Sequence, residues 1–264
     1  MVTLPEGLAQ SFGPPGPLLL FLACVAFATA AQTLTGFAFS LILLGLTASF
    51  GLASVADAAN AASVLTLVNA VTYFAGRRDE MPWTLMRPAL LASLPGVVAG
   101  VLLLDWLSGH SIGVLRVLLG LTIIACAGLL LLQRVQATRL APPSAFAVAG
   151  LSAGLLSGLF STSGPPMIFH LYRQPLPPHT VRDALLMLFA VNASLRLVMV
   201  LATGGFTLRA VLLALLALPI VALVTHAVRR HPPPISVTAL RIAVAALLAG
   251  AGLSLVVTGW TSVR

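Results

Sequence analysis

The sequence predicts an all-α integral membrane protein: two four-segment repeats, inverted relative to each other, each opening with an interrupted or re-entrant helix. Three observations carry that expectation: a composition that only a bilayer can solvate, long apolar runs of spanning length, and punctuation that recurs in the second half. Of 264 residues, 59% are hydrophobic and only 8% charged, and the mean hydropathy is +1.07. A soluble domain carries about 25% charged residues, and its surface could not do without them.

The apolar runs come in order. Pro17–Phe50 is interrupted at Gly36. Ala53–Phe74, Ala89–Leu104 and Ile112–Leu132 complete the first half. Ser144–Tyr172 is interrupted at Gly164-Pro165-Pro166, and Ala184–Thr203, Leu208–Val228 and Ile235–Val257 follow. Most are near the ~20 residues that cross a bilayer as helix. They are continuous rather than alternating, which excludes barrel strands. The breaks carry Pro, Gly or Arg, as in Arg77-Arg78-Asp79-Glu80-Met81-Pro82, Ala141-Pro142-Pro143 and Arg229-Arg230-His231-Pro232. None is long enough for a soluble domain.

The punctuation repeats. Gly36 and Gly164 interrupt the first segment of each half, Asp57 and Asp183 open the next, Gly76 and Gly204 close it, and Leu115-Arg116 and Leu240-Arg241 sit in the last. All four pairs share nearly one offset. Residues 1–140 are therefore expected to form an N-terminal membrane repeat and residues 141–264 a C-terminal one.

Charge placement adds the inversion. If all eight segments crossed, Arg77, Arg78, Arg87, Arg134 and Arg139 would lie on one face and Arg173, Arg182, Arg229 and Arg230 on the other, against the positive-inside rule. If each interrupted segment enters and returns, all of these share one face. Arg209 and Arg264 are then opposite, with Arg116, Arg196 and Arg241 inside helices.

Several classes fall away. The formal charge is +8 and every basic residue is Arg, but the arginines punctuate apolar runs singly or in pairs, so no nucleic-acid partner is expected. Cys24 and Cys126 read as small buried hydrophobes, and the histidines lack metal spacing, so no metal or cofactor is expected. Leu18–Ala31 resembles a signal core, but Glu6 stands where a basic leader would be, so it reads as a retained helix. Gly150-Leu151-Ser152-Ala153-Gly154 matches the nucleophile pattern G-x-S-x-G. It lies inside an apolar helix rather than on a strand–turn–helix elbow, so helix packing is the stronger reading.

The interrupted segments are the candidate site. Ser161-Thr162-Ser163-Gly164-Pro165-Pro166 sets cap-type hydroxyls before a helix start. Irregular backbone at membrane depth is tolerated where it is buried or lines a cavity, and a helix N-terminus there favours an anion. Its counterpart is the stretch from Gln32 through Thr35 and Gly36 to Ser40. Arg196, one turn after Asn192, is a charge inside a spanning helix and hence a functional candidate. Its planar fork suits oxyanions, while pairing with Asp57 or Asp183, or snorkelling, is the competing reading. Asp57, with Asn60 beside it, is the candidate for proton coupling.

The run Gly150-Leu151-Ser152-Ala153-Gly154-Leu155-Leu156-Ser157-Gly158-Leu159-Phe160, then Gly164-Pro165-Pro166, Arg182 and Asn192-Ala193-Ser194-Leu195-Arg196-Leu197 resembles the TauE/SafE family of sulfite exporters, also called TSUP anion transporters. The first half keeps Gly36-Phe37 without the glycine run usual there. The resemblance implies export or exchange of sulfite, organosulfonates or thiosulfate. It implies a site formed by Gln32, Thr35, Gly36, Ser161, Thr162, Ser163, Gly164, Pro165, Asn192 and Arg196. The expectation is a secondary transporter of a small sulfur-containing oxyanion, multi-pass in the bacterial inner membrane, working by alternating access with proton coupling through Asp57. Its partners would be that anion and the lipid bilayer, with a homo-oligomer left open. Alternatives are a carrier of another small organic anion, an intramembrane serine hydrolase using Ser152, or a non-transporting assembly subunit.

Overall fold

The computed structural model describes residues 15–35, 39–74, 82–131, 137–230 and 237–263, and all regular structure among them is helical. The helices are α1 (Pro15–Thr35), α2 (Phe39–Ser49), α3 (Val55–Phe74), α4 (Trp83–His110), α5 (Ile112–Leu131), α6 (Pro143–Phe160), α7 (Gly164–Tyr172), α8 (Pro178–Ala202), α9 (Leu208–Arg230) and α10 (Val237–Val263). All but α2 and α7 are long and apolar enough to cross a bilayer. Large aliphatic side chains cover the outside, with Leu208 71% and Leu223 70% exposed. That surface is stable only against lipid.

Two segments outrun their apolar stretches. α4 extends beyond Ala89–Leu104 at both ends because the buried faces of Met86 and Leu107 continue the helix while Arg87 and Asp105 sit exposed on its outer side. α8 starts six residues before Ala184, with Pro178 at its first position, where a missing N–H costs nothing.

The chain breaks between α6 and α7 for local reasons. Ser161 closes α6 in the left-handed region at φ 54°, a conformation that ends a helix. Pro165 and Pro166 can start a helix but cannot continue one. The chain therefore turns back. Loop residues on the two sides of the hairpin meet: the Ala137 N–H donates to the Arg173 carbonyl at 2.7 Å, and the Ala141 N–H to Gln174 Oε1 at 2.8 Å. The loop before α6 and the residues after α7 therefore lie together, while α6 by itself is long enough to span. Single cysteines at the exposed Ala137 and Pro175 should accordingly be modified by a membrane-impermeant reagent from the same side; labelling from opposite sides would break this hairpin.

Helices α3 and α8 form the antiparallel centre. At one end Tyr73 Oη donates to Asp183 Oδ1 at 2.8 Å. At the other, Thr207 Oγ1 donates to Asp57 Oδ1 at 2.6 Å, and Arg209 Nη2 to the Leu52 carbonyl at 2.8 Å. The first end also gathers Arg87, Arg139, Arg173 and Arg182, and is the arginine-rich one. Gly76, Arg77, Arg78, Arg134 and His231 lie outside the described residues, as do the side chains of Arg229 and Arg241.

Around this centre α4 packs on α6 and α5 on α10. Glycines set the spacing: a Cβ on Gly150, Gly154 or Gly158 would strike the backbone of Ala89, Ser93 or Val97. Small residues let helices in lipid approach this closely, where dispersion rather than the hydrophobic effect holds them together.

Candidate anion site

Arg196 sits on the buried face of α8 and is fully buried. Its Nε donates to the Gly158 carbonyl at 3.0 Å. Its Nη1 donates to Asn60 Oδ1 at 2.8 Å and to Ser63 Oγ at 3.0 Å. Nη2 has no partner. Among the described residues every acceptor is neutral, so neither Asp57 nor Asp183 pairs with the guanidinium. Burying an ion costs several kcal/mol unless a counter-charge answers it. Here polar contacts hold the side chain in place and leave its charge unanswered.

Ser63 passes the contact on. Its Oγ lies 2.8 Å from Ser161 Oγ, and Ser161 lines a central cavity. Hydroxyls dominate that cavity: Ser40, Thr66, Ser157, Ser161, Thr162 and Ser163 border it, together with Gln32 and the rings of Phe39 and Phe189. No carboxylate borders it among the described residues. Thr66 Oγ1 is buried without a partner. Asn192 sets the far wall by donating to Ser163 Oγ at 2.9 Å, and is itself fixed by Ser93 Oγ at 2.7 Å. These donors can replace the hydration of a small oxyanion; phenyl walls cannot.

The N-terminus of α7 contributes less than the sequence suggests. Its first residue, Gly164, borders the cavity, but Pro165 and Pro166 follow, and proline has no N–H to offer. The dipole end remains, while hydroxyls supply most of the donors.

The structure thus gathers Gln32, Ser161, Thr162, Ser163 and Gly164 around one cavity, with Asn192 hydrogen-bonded to its wall and Arg196 one side chain behind it. Pro165 is buried next to Gly164. Gly36 and the side chain of Thr35 lie outside the described residues. Asp57 stands apart, at the end of α3 away from the arginine-rich end. It accepts from Ser54 Oγ at 2.8 Å while its own N–H donates to Ser54 Oγ at 3.0 Å, the reciprocal pattern of a helix cap.

Sequence reasoning missed Ser63, Thr66, Asn69, Tyr73 and Ser93. A signal was present for the first four: Asp57, Asn60, Ser63, Thr66, Asn69 and Tyr73 recur every three or four residues along α3, the least apolar of the spanning helices. Four successive steps of three each fall about 60° short of a full turn, so the row winds around the helix and puts Asp57 and Thr66 on opposite sides; it is about 24 Å long at the rise of an α-helix. Ser161 permits a clean test. Ser161→Gly should keep the left-handed turn and the fold but lose the hydroxyl; anion flux should then fall with no loss of thermal stability. Unchanged flux would remove Ser161 from the site.

An all-helical bundle jacketed for lipid, with a hydroxyl-lined cavity at its centre, defines a multi-pass membrane transporter. The family model described as "Sulfite exporter TauE/SafE" matches residues 20–255, and the chain belongs to that family, one of transporters rather than enzymes. It is 36% identical over 239 residues to the "Probable sulfite/organosulfonate exporter TauE" of Cupriavidus necator, covering 90% of this chain and 93% of that protein. No solved structure matches. The likeness places the chain in the bacterial inner membrane. Ser152, the one hydroxyl of the G-x-S-x-G match, faces outward and bonds back to the Val148 carbonyl at 2.9 Å.

Proposed function

We propose that this protein exports a small sulfur oxyanion, sulfite or an organosulfonate, by alternating access, with Arg196 as the counter-charge. The observation that carries the reading is a fully buried guanidinium that, among the described residues, has no carboxylate partner and one nitrogen without a hydrogen bond. A charge at such depth is retained for function, and the missing partner is an anion. The printed activity of the Cupriavidus relative supports sulfur chemistry for that anion.

Alternating access is supported by helix pairing. The sequence repeat matches α1–α5 with α6–α10. Under that exchange the α4–α6 contact corresponds to α9–α1, α3–α9 to α8–α4, and α2–α10 to α7–α5, while α3–α8 and α5–α10 map onto themselves; all of these contacts occur. Repeats of opposite orientation around a central site can rock between two equivalent states. By the positive-inside rule the arginine-rich end is cytoplasmic, and the Asp57–Thr207 and Arg209–Leu52 bonds close the opposite end. Proton coupling through Asp57, whose two carboxylate oxygens accept from Ser54 and Thr207, remains the expectation to test.

Flux of sulfite and sulfoacetate in proteoliposomes, with and without a pH gradient, tests the whole reading. Saturable flux of either anion is expected, and a dependence on the gradient that Asp57→Asn removes would establish coupling. A folded protein that moves neither anion would overturn the substrate.

A further inference from the structure

Five buried side-chain polar atoms lack a hydrogen-bond partner among the described residues. Arg196 Nη2 and Thr66 Oγ1 belong with the central cavity. Arg182 Nε and Thr225 Oγ1 do not: both residues line a second cavity, nearer the arginine-rich end. Gln32 borders both cavities. The second is completed by Thr33 from α1, Leu186 from α8, and Asn69 and Tyr73, the last two polar positions of the winding row on α3.

The unpartnered groups here are not incidental. Hydroxyls in these helices ordinarily bond back to the carbonyl four residues before, as Thr29, Thr47 and Thr122 do. Thr225, buried in α9, makes no such bond. The Arg182 guanidinium lies 5.1 Å above the centre of the Tyr73 ring, and Tyr73 is itself tied to Asp183. The ring holds the guanidinium by a cation–π contact, and the Arg182 Nε is left without a partner among the described residues. The second cavity therefore brings together an incompletely bonded arginine and a threonine hydroxyl without a partner among the described residues, donors of the kind an oxyanion site uses; at the central cavity Thr66 lines the wall and Arg196 stands one side chain behind it.

We propose that the second cavity is a loading site for the same sulfur oxyanion, occupied before the central site; this rests on the transport reading above. Arg182 and Arg196 are fourteen positions apart on one helix, about 21 Å along its axis. Sulfite or sulfoacetate cannot span that distance, so the two arginines hold the anion in succession. Gln32 borders both stations, and α3 contributes Thr66 to one and Asn69 and Tyr73 to the other. Arg182 is only partly buried, so its hold is weaker, as a first station requires: ions move on only from sites that bind without trapping. Exposed Arg139 and Arg173 at this end raise the local anion concentration.

Calorimetric titration of the purified full chain with sulfite and with sulfoacetate tests the inference. Two anions should bind wild type, the weaker alone should remain in Arg196→Gln, the tighter alone in Arg182→Gln, and none in the double variant. In proteoliposomes Arg182→Gln should raise KM about tenfold, the loss expected when one charge-assisted contact goes. Thr225→Val, which keeps the side-chain volume, should weaken the same site and carries the test if Arg182→Gln does not fold. One wild-type site, lost in Arg196→Gln and untouched by Arg182→Gln and Thr225→Val, would overturn the loading site and leave the transport reading standing. No binding or flux of either anion by folded wild type would overturn both.

Discussion

Arg196→Gln should abolish anion flux while leaving the protein folded. Removing the charged partner of a buried ionic contact costs about 2–5 kcal/mol of binding, so flux at low anion concentration should drop by roughly two orders of magnitude or more. The stability loss should be much smaller than for an ordinary buried arginine. Where an arginine answers a carboxylate, its loss strands a charge and destabilises strongly. Here its contacts are Gly158, Asn60 and Ser63, all neutral. Gln relieves the desolvation of the cation and can keep one of those bonds. The apparent Tm without anion should stay close to wild type, and the rise in Tm on adding sulfite, through selective binding to the folded state, should vanish. A Tm that collapses without anion would make Arg196 a structural residue; a wild-type anion response in the variant would remove it from the site.

How far the sequence reached follows from where the information sits. Helix number and class were legible because bilayer solvation acts on every residue of a span, and the break at Gly164-Pro165-Pro166 because proline chemistry is local. Arg196 was legible as a charge out of place. Its lack of a carboxylate was not, since the distance to Asp57 or Asp183 depends on how α3 and α8 cross. The hairpin of α6 and α7 was inferred from arginine counts alone, and its physical tie, Ala137 to Arg173 and Ala141 to Gln174, joins residues far apart in the chain. The row on α3 from Asp57 to Tyr73 is visible in the spacing, but hydroxyls in apolar helices so often bond only to their own backbone that spacing alone does not mark them as site residues. Thr66 and Thr225 break that habit, which only coordinates reveal.

Gly154→Ala should be the most damaging small substitution in the chain, and it settles what Gly150-Leu151-Ser152-Ala153-Gly154 is for. A Cβ at Gly154 would meet the carbonyl oxygen and Cα of Ser93 well inside contact distance. Backbone cannot rotate away as a side-chain tip can, so α4 and α6 must separate along their whole interface. Overpacking of this kind costs about 1–3 kcal/mol and occasionally more. The damage also reaches the cavity, because Ser93 holds Asn192 and Asn192 holds Ser163. Folded yield, Tm and flux should therefore fall together in Gly154→Ala. Gly128→Ala makes the same chemical change on α5 with nothing within 4 Å, and should be neutral or stabilising by up to about 1 kcal/mol through helix propensity. Ser152→Ala should change neither flux nor stability, since its hydroxyl serves only the Val148 carbonyl. If Ser152→Ala abolished function and Gly154→Ala were tolerated, the motif would be chemical rather than a packing seam, and the hydrolase reading would return.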